Sequence, residues 1–279
     1  SRGLGDVYKR QTFTRADLVV DTKTIGKGNV KLTLAKDGTV LQSTEGVLHG
    51  ETQFVLKVDH PELWSAETPV LYDLLLEVTA EDGTVQELIP QRVGFRRFEM
   101  KDHIMTLNGK RVVFKGVNRH EFSSVSGRVV SREELIKDLT TMKQNNINAI
   151  RTCHYPDAVG IYDLCDEYGI LLWEDLMYAC NIYDVTPDFA ENIAIEAKDN
   201  ILRFRNHACL GLICGNNELE CAWTDWKDAQ GHAPSLKRDY LYQFEFLLAD
   251  VVKENAPDAF YWPSSPSSGG SFDLSLIHI

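Results

Sequence analysis

Between Val112 and Ser265 a short apolar run ends in polar or aromatic residues five times over. The runs are Val112-Val113-Phe114-Lys115-Gly116-Val117, Asn148-Ala149-Ile150-Arg151, Ile170-Leu171-Leu172-Trp173, Leu210-Gly211-Leu212-Ile213-Cys214 and Ala259-Phe260-Tyr261-Trp262. They lead into Asn118-Arg119-His120-Glu121, Thr152-Cys153-His154-Tyr155-Pro156, Glu174-Asp175, Gly215-Asn216-Asn217-Glu218 and Pro263-Ser264-Ser265. Apolar runs this short read as buried parallel strands. Helix signals separate them. Ser131 with Glu134 forms a capping-box pattern ahead of Leu135, Ile136, Leu139 and Met142. Asp157 is placed to open a helix that turns Ile161, Leu164, Cys165 and Tyr168 inward and ends at Gly169. Thr186-Pro187 fits an N-cap followed by proline at the first helical position. Repeated βα units imply a parallel sheet with right-handed crossovers. A doubly wound sheet gathers its ligands at one switch point, usually behind a glycine-rich phosphate loop, and the sequence has no such loop. Successive strands that all deliver polar groups at the same end suit the site face of a (β/α)8 barrel. Residues 100–273 are therefore expected to form the N-terminal part of an incomplete TIM barrel.

Residues 12–99 follow a different period. Runs such as Val30-Lys31-Leu32-Thr33-Leu34 and Leu71-Tyr72-Asp73-Leu74-Leu75-Leu76-Glu77-Val78 alternate or stay apolar over strand lengths. Asp37-Gly38 and Asp82-Gly83 between such runs are hairpin signals. Short strands spaced in this way predict an immunoglobulin-like β-sandwich.

Both ends read as foreign. Leu274-Ser275-Leu276-Ile277-His278-Ile279 can be encoded by a DNA element whose reverse complement encodes Asp6-Val7-Tyr8-Lys9-Arg10-Gln11. An element repeated in inverted orientation resembles a sequencing-library adapter, so residues 1–11 and 274–279 are expected to be non-native tails. The native protein would then run from about Thr12 to Asp273, with both natural termini missing. No compartment is assigned, because the native start is not represented.

The net charge is −12, or −14 without Arg2, Asp6, Lys9 and Arg10. An acidic body argues against nucleic acid and anionic membranes as partners, and leaves neutral sugars open. Cys153, Cys165, Cys180, Cys209, Cys214 and Cys221 are scattered without CxxC spacing, which favours buried free thiols over disulfides or a metal site.

Glu218, after two amides at a strand end, suits a positioned acid. Glycoside cleavage needs such a group beside others that hold the sugar hydroxyls. The bland readings are a glutamate that caps the following helix, a structural His154, and an Arg151 paired with Glu218 or Glu121. Asp175 and Trp173 suit core packing equally well, and His120 with Glu121 suits a structural pair. A metal on His120, Glu121 and His154 fits by ligand type, but nothing in their spacing requires it.

Several motifs carry a resemblance that runs through almost all of Thr12 to Asp273. Trp64-Ser65-Ala66-Glu67-Thr68-Pro69-Val70-Leu71-Tyr72, Val93-Gly94-Phe95-Arg96-Arg97, Asn108-Gly109-Lys110 and Lys115 to Glu121 resemble family-2 glycoside hydrolases, the group of β-galactosidases, β-glucuronidases and β-mannosidases. Asn148 to Arg151 with His154-Tyr155-Pro156 is similar to β-galactosidases. Trp173-Glu174-Asp175, Cys214 to Glu218 and Pro263-Ser264-Ser265-Pro266-Ser267 are more similar to β-mannosidases. The resemblance implies a retaining exo-β-glycosidase for terminal β-mannosides, with β-galactosides close behind. Glu218 would be its general acid/base. Asn217 would bond the sugar 2-hydroxyl, Arg151 would line the floor, and His154, Asp175 and Trp173 would contact the sugar. Trp262 and Trp173 would offer flat faces to a sugar ring, and Asn118 would be a further substrate contact. The family's acid is held protonated by an apolar wall and a neighbouring anion. Its nucleophile is a later strand-end glutamate that no residue of this chain matches, so the chain by itself is expected to be inactive. No cofactor or metal is implied, and a homo-oligomer of the full-length protein is compatible. The competing readings are a non-catalytic carbohydrate-binding protein and a metal-dependent barrel hydrolase.

Overall fold

The structure is a computed structural model that describes residues 4–222, 226 and 234–267. The segment 274–279, expected to be foreign, lies outside the described residues, as do residues 1–3. The described chain divides into two compact units at Val113/Phe114, with Asp166–Gly169 and Asn206–Ala208 grouped with the first.

The first unit is an immunoglobulin-like sandwich followed by a small sheet. Strands β1 (Leu4–Thr12), β2 (Arg15–Lys36), β3 (Thr39–Asp59), β4 (Tyr72–Thr79) and β5 (Val85–Val93) pair antiparallel in the order β1-β2-β4-β5, with β3 also on β2. The β2–β3 ladder is interrupted between Lys23 and Lys27, where Gly26 takes φ +103°. Such a bulge bends a strand and increases its twist. On either side of it, Ala16, Leu18 and Val20, then Val30, Leu32 and Leu34, enter one buried cluster with Leu56, Val58, Leu74 and Leu76. The alternating pattern thus places both halves of β2 on a single core. Asp37 and Gly38, both at positive φ, close the two-residue β2–β3 hairpin as the sequence predicts. Strand β1, which contains the 6–11 stretch, pairs with Arg15–Thr22. Edge pairing uses main-chain groups only, so a sequence of any origin can occupy it. Strands β6 (Phe98–Lys101), β7 (Ile104–Leu107) and β8 (Lys110–Arg111) form the small sheet.

The second unit is part of a TIM barrel. Its elements are β9 (Gly116–Arg119), α1 (Arg132–Gln144), β10 (Ala149–Thr152), α2 (Val159–Tyr168), β11 (Leu171–Ala179), α3 (Pro187–Phe204), β12 (Leu210–Asn217), α4 (Leu219–Ala222), α5 (Pro234–Leu241), α6 (Leu248–Asn255) and β13 (Phe260–Trp262). A π-helical turn, Tyr242–Leu247, joins α5 to α6. The five strands pair in parallel in the order β13-β12-β11-β10-β9. Every residue of β12 is buried, as expected for a strand covered on both faces. Gly215 is required there: a Cβ would lie 2.4 Å from the Tyr261 hydroxyl and 2.5 Å from the Pro263 carbonyl.

Two caps follow the sequence reading. Ser131 and Glu134 form a reciprocal capping box on α1, and the Thr186 hydroxyl accepts the Phe189 N–H at the start of α3. Three expectations are corrected. The first barrel strand is Gly116–Arg119 rather than 112–117, because Lys110–Arg111 belong to the preceding hairpin. Asp157 does not cap α2: its carboxylate accepts from Arg119 at 2.7 Å, while Glu121 accepts the Ala158 N–H at 3.2 Å. Cys180 is an exposed thiol; the other five cysteines are buried and all six are free.

Candidate active site

Strand pairing assembles the site. Arg151 on β10 lies opposite Trp173 on β11 and Asn118 on β9, and Asp175 on β11 lies opposite Cys214 on β12. Residues two apart on a strand share a face, so Trp173 and Asp175 point the same way. Asp175 is fully buried and is the centre of the group. The Arg151 Nε donates to both of its oxygens at 3.0 Å, and the second guanidinium nitrogen lies 2.8 Å from Oδ2. The Trp173 indole N–H donates to Oδ1 at 2.9 Å, and His154 Nδ1 lies 2.9 Å from Oδ2. A carboxylate only accepts, so His154 carries its proton on Nδ1 and keeps the Nε2 lone pair when neutral. Burial works against the charge of Arg151, but the hydrogen bond and charge of Asp175 outweigh it and hold the guanidinium above its ordinary value.

The alternative reading of Arg151 as an ion-pair partner holds with a different anion. Asp175, rather than Glu218 or Glu121, is its anion, because β10 and β11 are neighbours in register. The guanidinium also lies over the Trp173 ring at 5.4 Å, so it occupies one face of the indole.

Arg151 reaches Asn217 as well, donating to its Oδ1 at 2.8 Å. Arginine has no acceptor, so this bond fixes which end of the Asn217 amide faces it. Asn217 Nδ2 then turns to the Cys180 thiol at 3.3 Å, with one N–H still available to a ligand. The next residue, Glu218, is exposed and takes φ +65°; its N–H donates to the Ser265 carbonyl at 3.0 Å. Cys180 takes φ +53°, and its thiol lies 3.8 Å from Glu218 Oε2. Left-handed backbone at non-glycine residues costs of order 1–3 kcal/mol and clusters at functional sites.

The structure therefore brings Arg151, His154, Trp173, Asp175, Asn217 and Glu218 together. Asn118 is exposed beside them on β9. Trp262 is half-buried and stacks on Phe260, two residues back on the same face of β13, at 6.0 Å. Cys180 is the residue that sequence reasoning missed. It follows β11 as Glu218 follows β12, and the Ala179–Asn217 register would have paired them.

On the other face of the same strands, Glu174 is fully buried and accepts the Tyr162 hydroxyl at 3.1 Å. Burial raises its carboxyl well above the ordinary value. Burial likewise pushes Asp157 up to about 7, with Arg119 opposing and Glu121 adding.

Comparison with known proteins agrees with this architecture. The model described as "Glycosyl hydrolases family 2, TIM barrel domain" matches residues 98–245, and "Glycosyl hydrolases family 2" matches residues 6–96. A β-galactosidase of Halalkalibacterium halodurans is 56% identical over 121 residues, which are 43% of this chain and 12% of that protein. A β-galactosidase of Streptococcus thermophilus is 38% identical over 229 residues, 75% of this chain and 22% of that protein. The chain thus spans less than a quarter of the length of either relative. The crystal structure of a β-D-mannosidase from Dictyoglomus thermophilum shares the fold, with TM-score 0.84 and 24% identity over 98% of this chain and 36% of that one. With one family model covering more than half of its residues and a second covering most of the rest, the chain belongs to family 2 of the glycosyl hydrolases.

Proposed function

We propose that a full-length protein carrying this region is a retaining exo-β-glycosidase for terminal β-galactosides or β-mannosides, with Glu218 as general acid/base. The observation that carries this reading is the convergence of Arg151, His154 and Trp173 on Asp175, next to Asn217-Glu218 at the ends of adjacent barrel strands. Glu218 protonates the leaving glycosidic oxygen and later takes a proton from the water that releases the glycosyl-enzyme. Asn217, its amide oriented by Arg151, presents an N–H to the sugar 2-hydroxyl. His154 offers Nε2 to another hydroxyl. Asp175 is committed to three donors, which makes it an orienting group rather than the attacking one. The nucleophile must lie roughly 5 Å from the acid in a retaining enzyme. It is assigned to a glutamate supplied outside this chain, so the chain alone is expected to be inactive.

Identity to β-galactosidases supports the galactoside first. The Trp173-Glu174-Asp175 and Asn216-Asn217-Glu218 segments, similar to β-mannosidases, support the mannoside. The test is turnover of nitrophenyl β-galactoside and β-mannoside by the full-length protein, with the first-formed anomer followed by NMR. Cleavage with retention is expected. Sugar binding without cleavage of any aryl glycoside would leave the non-catalytic reading instead.

A further inference from the structure

The ends of β9 and β10 bring together three groups that the glycosidase reading uses only in part. His120, Cys153 and His154 each offer one ligand atom, and these atoms lie within 4.8 Å of one another. The two imidazoles meet edge to face at 5.4 Å between ring centres. Cys153 is buried, His154 is half-buried and His120 is exposed, so the cluster opens to solvent on one side. Paired imidazoles serve a sugar well, but a buried thiol closing the same triangle adds nothing to hydroxyl recognition. It adds a great deal to a soft cation.

We propose that His120, Cys153 and His154 form a binding site for a borderline-soft divalent cation of the zinc type. Asp175 prepares it: its bond to His154 Nδ1 fixes the tautomer and leaves the Nε2 lone pair as the ligand atom, the carboxylate–histidine arrangement found behind metal ligands. Glu121, which suits a metal by ligand type, instead accepts the Ala158 N–H through Oε1, and the third member of the cluster is Cys153. Thiolate sulfur and imidazole nitrogen suit zinc in tetrahedral geometry, and three protein ligands leave the fourth position to water. Binding displaces one proton, from the Cys153 thiol, as the metal–sulfur bond forms; both imidazoles bind neutral. Under the glycosidase reading, a cation on His154 and a sugar exclude one another, and that consequence alone rests on that reading.

The test is direct titration of the full chain with cobalt(II), which reports thiolate ligation by a charge-transfer absorption, followed by displacement with zinc. The expected result is a band that saturates at one cobalt per chain and is bleached by zinc. Cys153→Ser abolishes the band, and His120→Ala, an exposed change that leaves the core untouched, weakens binding by more than about tenfold. Cys180→Ser leaves the band as it was. A folded chain that gives no band at saturating cobalt overturns the proposal. So does a band that survives Cys153→Ser or disappears in Cys180→Ser. None of these readings depends on hydrolysis, so failure here and failure of the glycosidase reading are told apart.

Discussion

The floor and the rim of the candidate site are built in opposite ways. On the floor, buried Asp175 collects the Arg151 guanidinium, the Trp173 indole and His154, all between 2.8 and 3.0 Å. On the rim, the carboxylate of exposed Glu218 accepts one side-chain hydrogen bond among the described residues, from the Cys180 thiol at 3.8 Å. A closed network in low dielectric holds geometry and is costly to open. A reacting carboxylate needs its oxygens free for substrate and for the proton it carries. Under the proposed function, the difference means that pre-organisation and reactivity fall to different acids on adjacent strands.

The sharpest way to break this contrast is Asp175→Ala. It leaves the guanidinium of Arg151 without its anion in a mostly buried site, and should cost about 3–5 kcal/mol of unfolding free energy. Denaturant unfolding of the chain checks it; a cost within error of zero would dissolve the floor as a unit. A second buried carboxylate sharpens the comparison through pH. Asp157 is held at about 7 against an ordinary 3.8, so between these values the folded chain keeps a proton that the unfolded chain has released. Its contribution is therefore most favourable below pH 4 and is lost as pH rises to about 7, by up to roughly 4 kcal/mol. Unfolding measured across that window should show the slope, and Asp157→Asn should flatten it. Trp173→Phe removes one donor from Asp175 and should cost about 1 kcal/mol. Cys180→Ser, on the rim, should stay within about 0.5 kcal/mol. If it cost as much as Trp173→Phe, rim and floor would be one network.

What the sequence made legible was local. The Ser131–Glu134 capping box, the Thr186 cap and the Asp37-Gly38 hairpin each depend on residues within a few positions, and each is in place. Asp157 was misread because a cap is a weak local option, and a charge from Arg119, distant in sequence, took the carboxylate instead. The partner of Arg151 was not legible for a related reason. Choosing among Glu121, Asp175 and Glu218 needs the register of β9, β10, β11 and β12, and that register is set by side-chain packing across the sheet. Cys180 was hidden by the length of β11, whose run past Trp173 carries Glu174, Asp175 and Tyr178 and does not look like a continuing strand. The residues that converge on Asp175 and Asn217 were thus largely visible, while their wiring was not.

The most direct test of the account is Glu218→Gln in a full-length family-2 protein carrying this region, assayed on two aryl glycosides with good and poor leaving groups. Removing the general acid should slow the poor leaving group by about 10²–10⁴-fold. Cleavage of the activated substrate should stall at the glycosyl-enzyme, and added azide should restore turnover by attacking it without needing a general base. Equal, modest losses on both substrates, with no response to azide, would contradict the assignment of Glu218 as the acid/base.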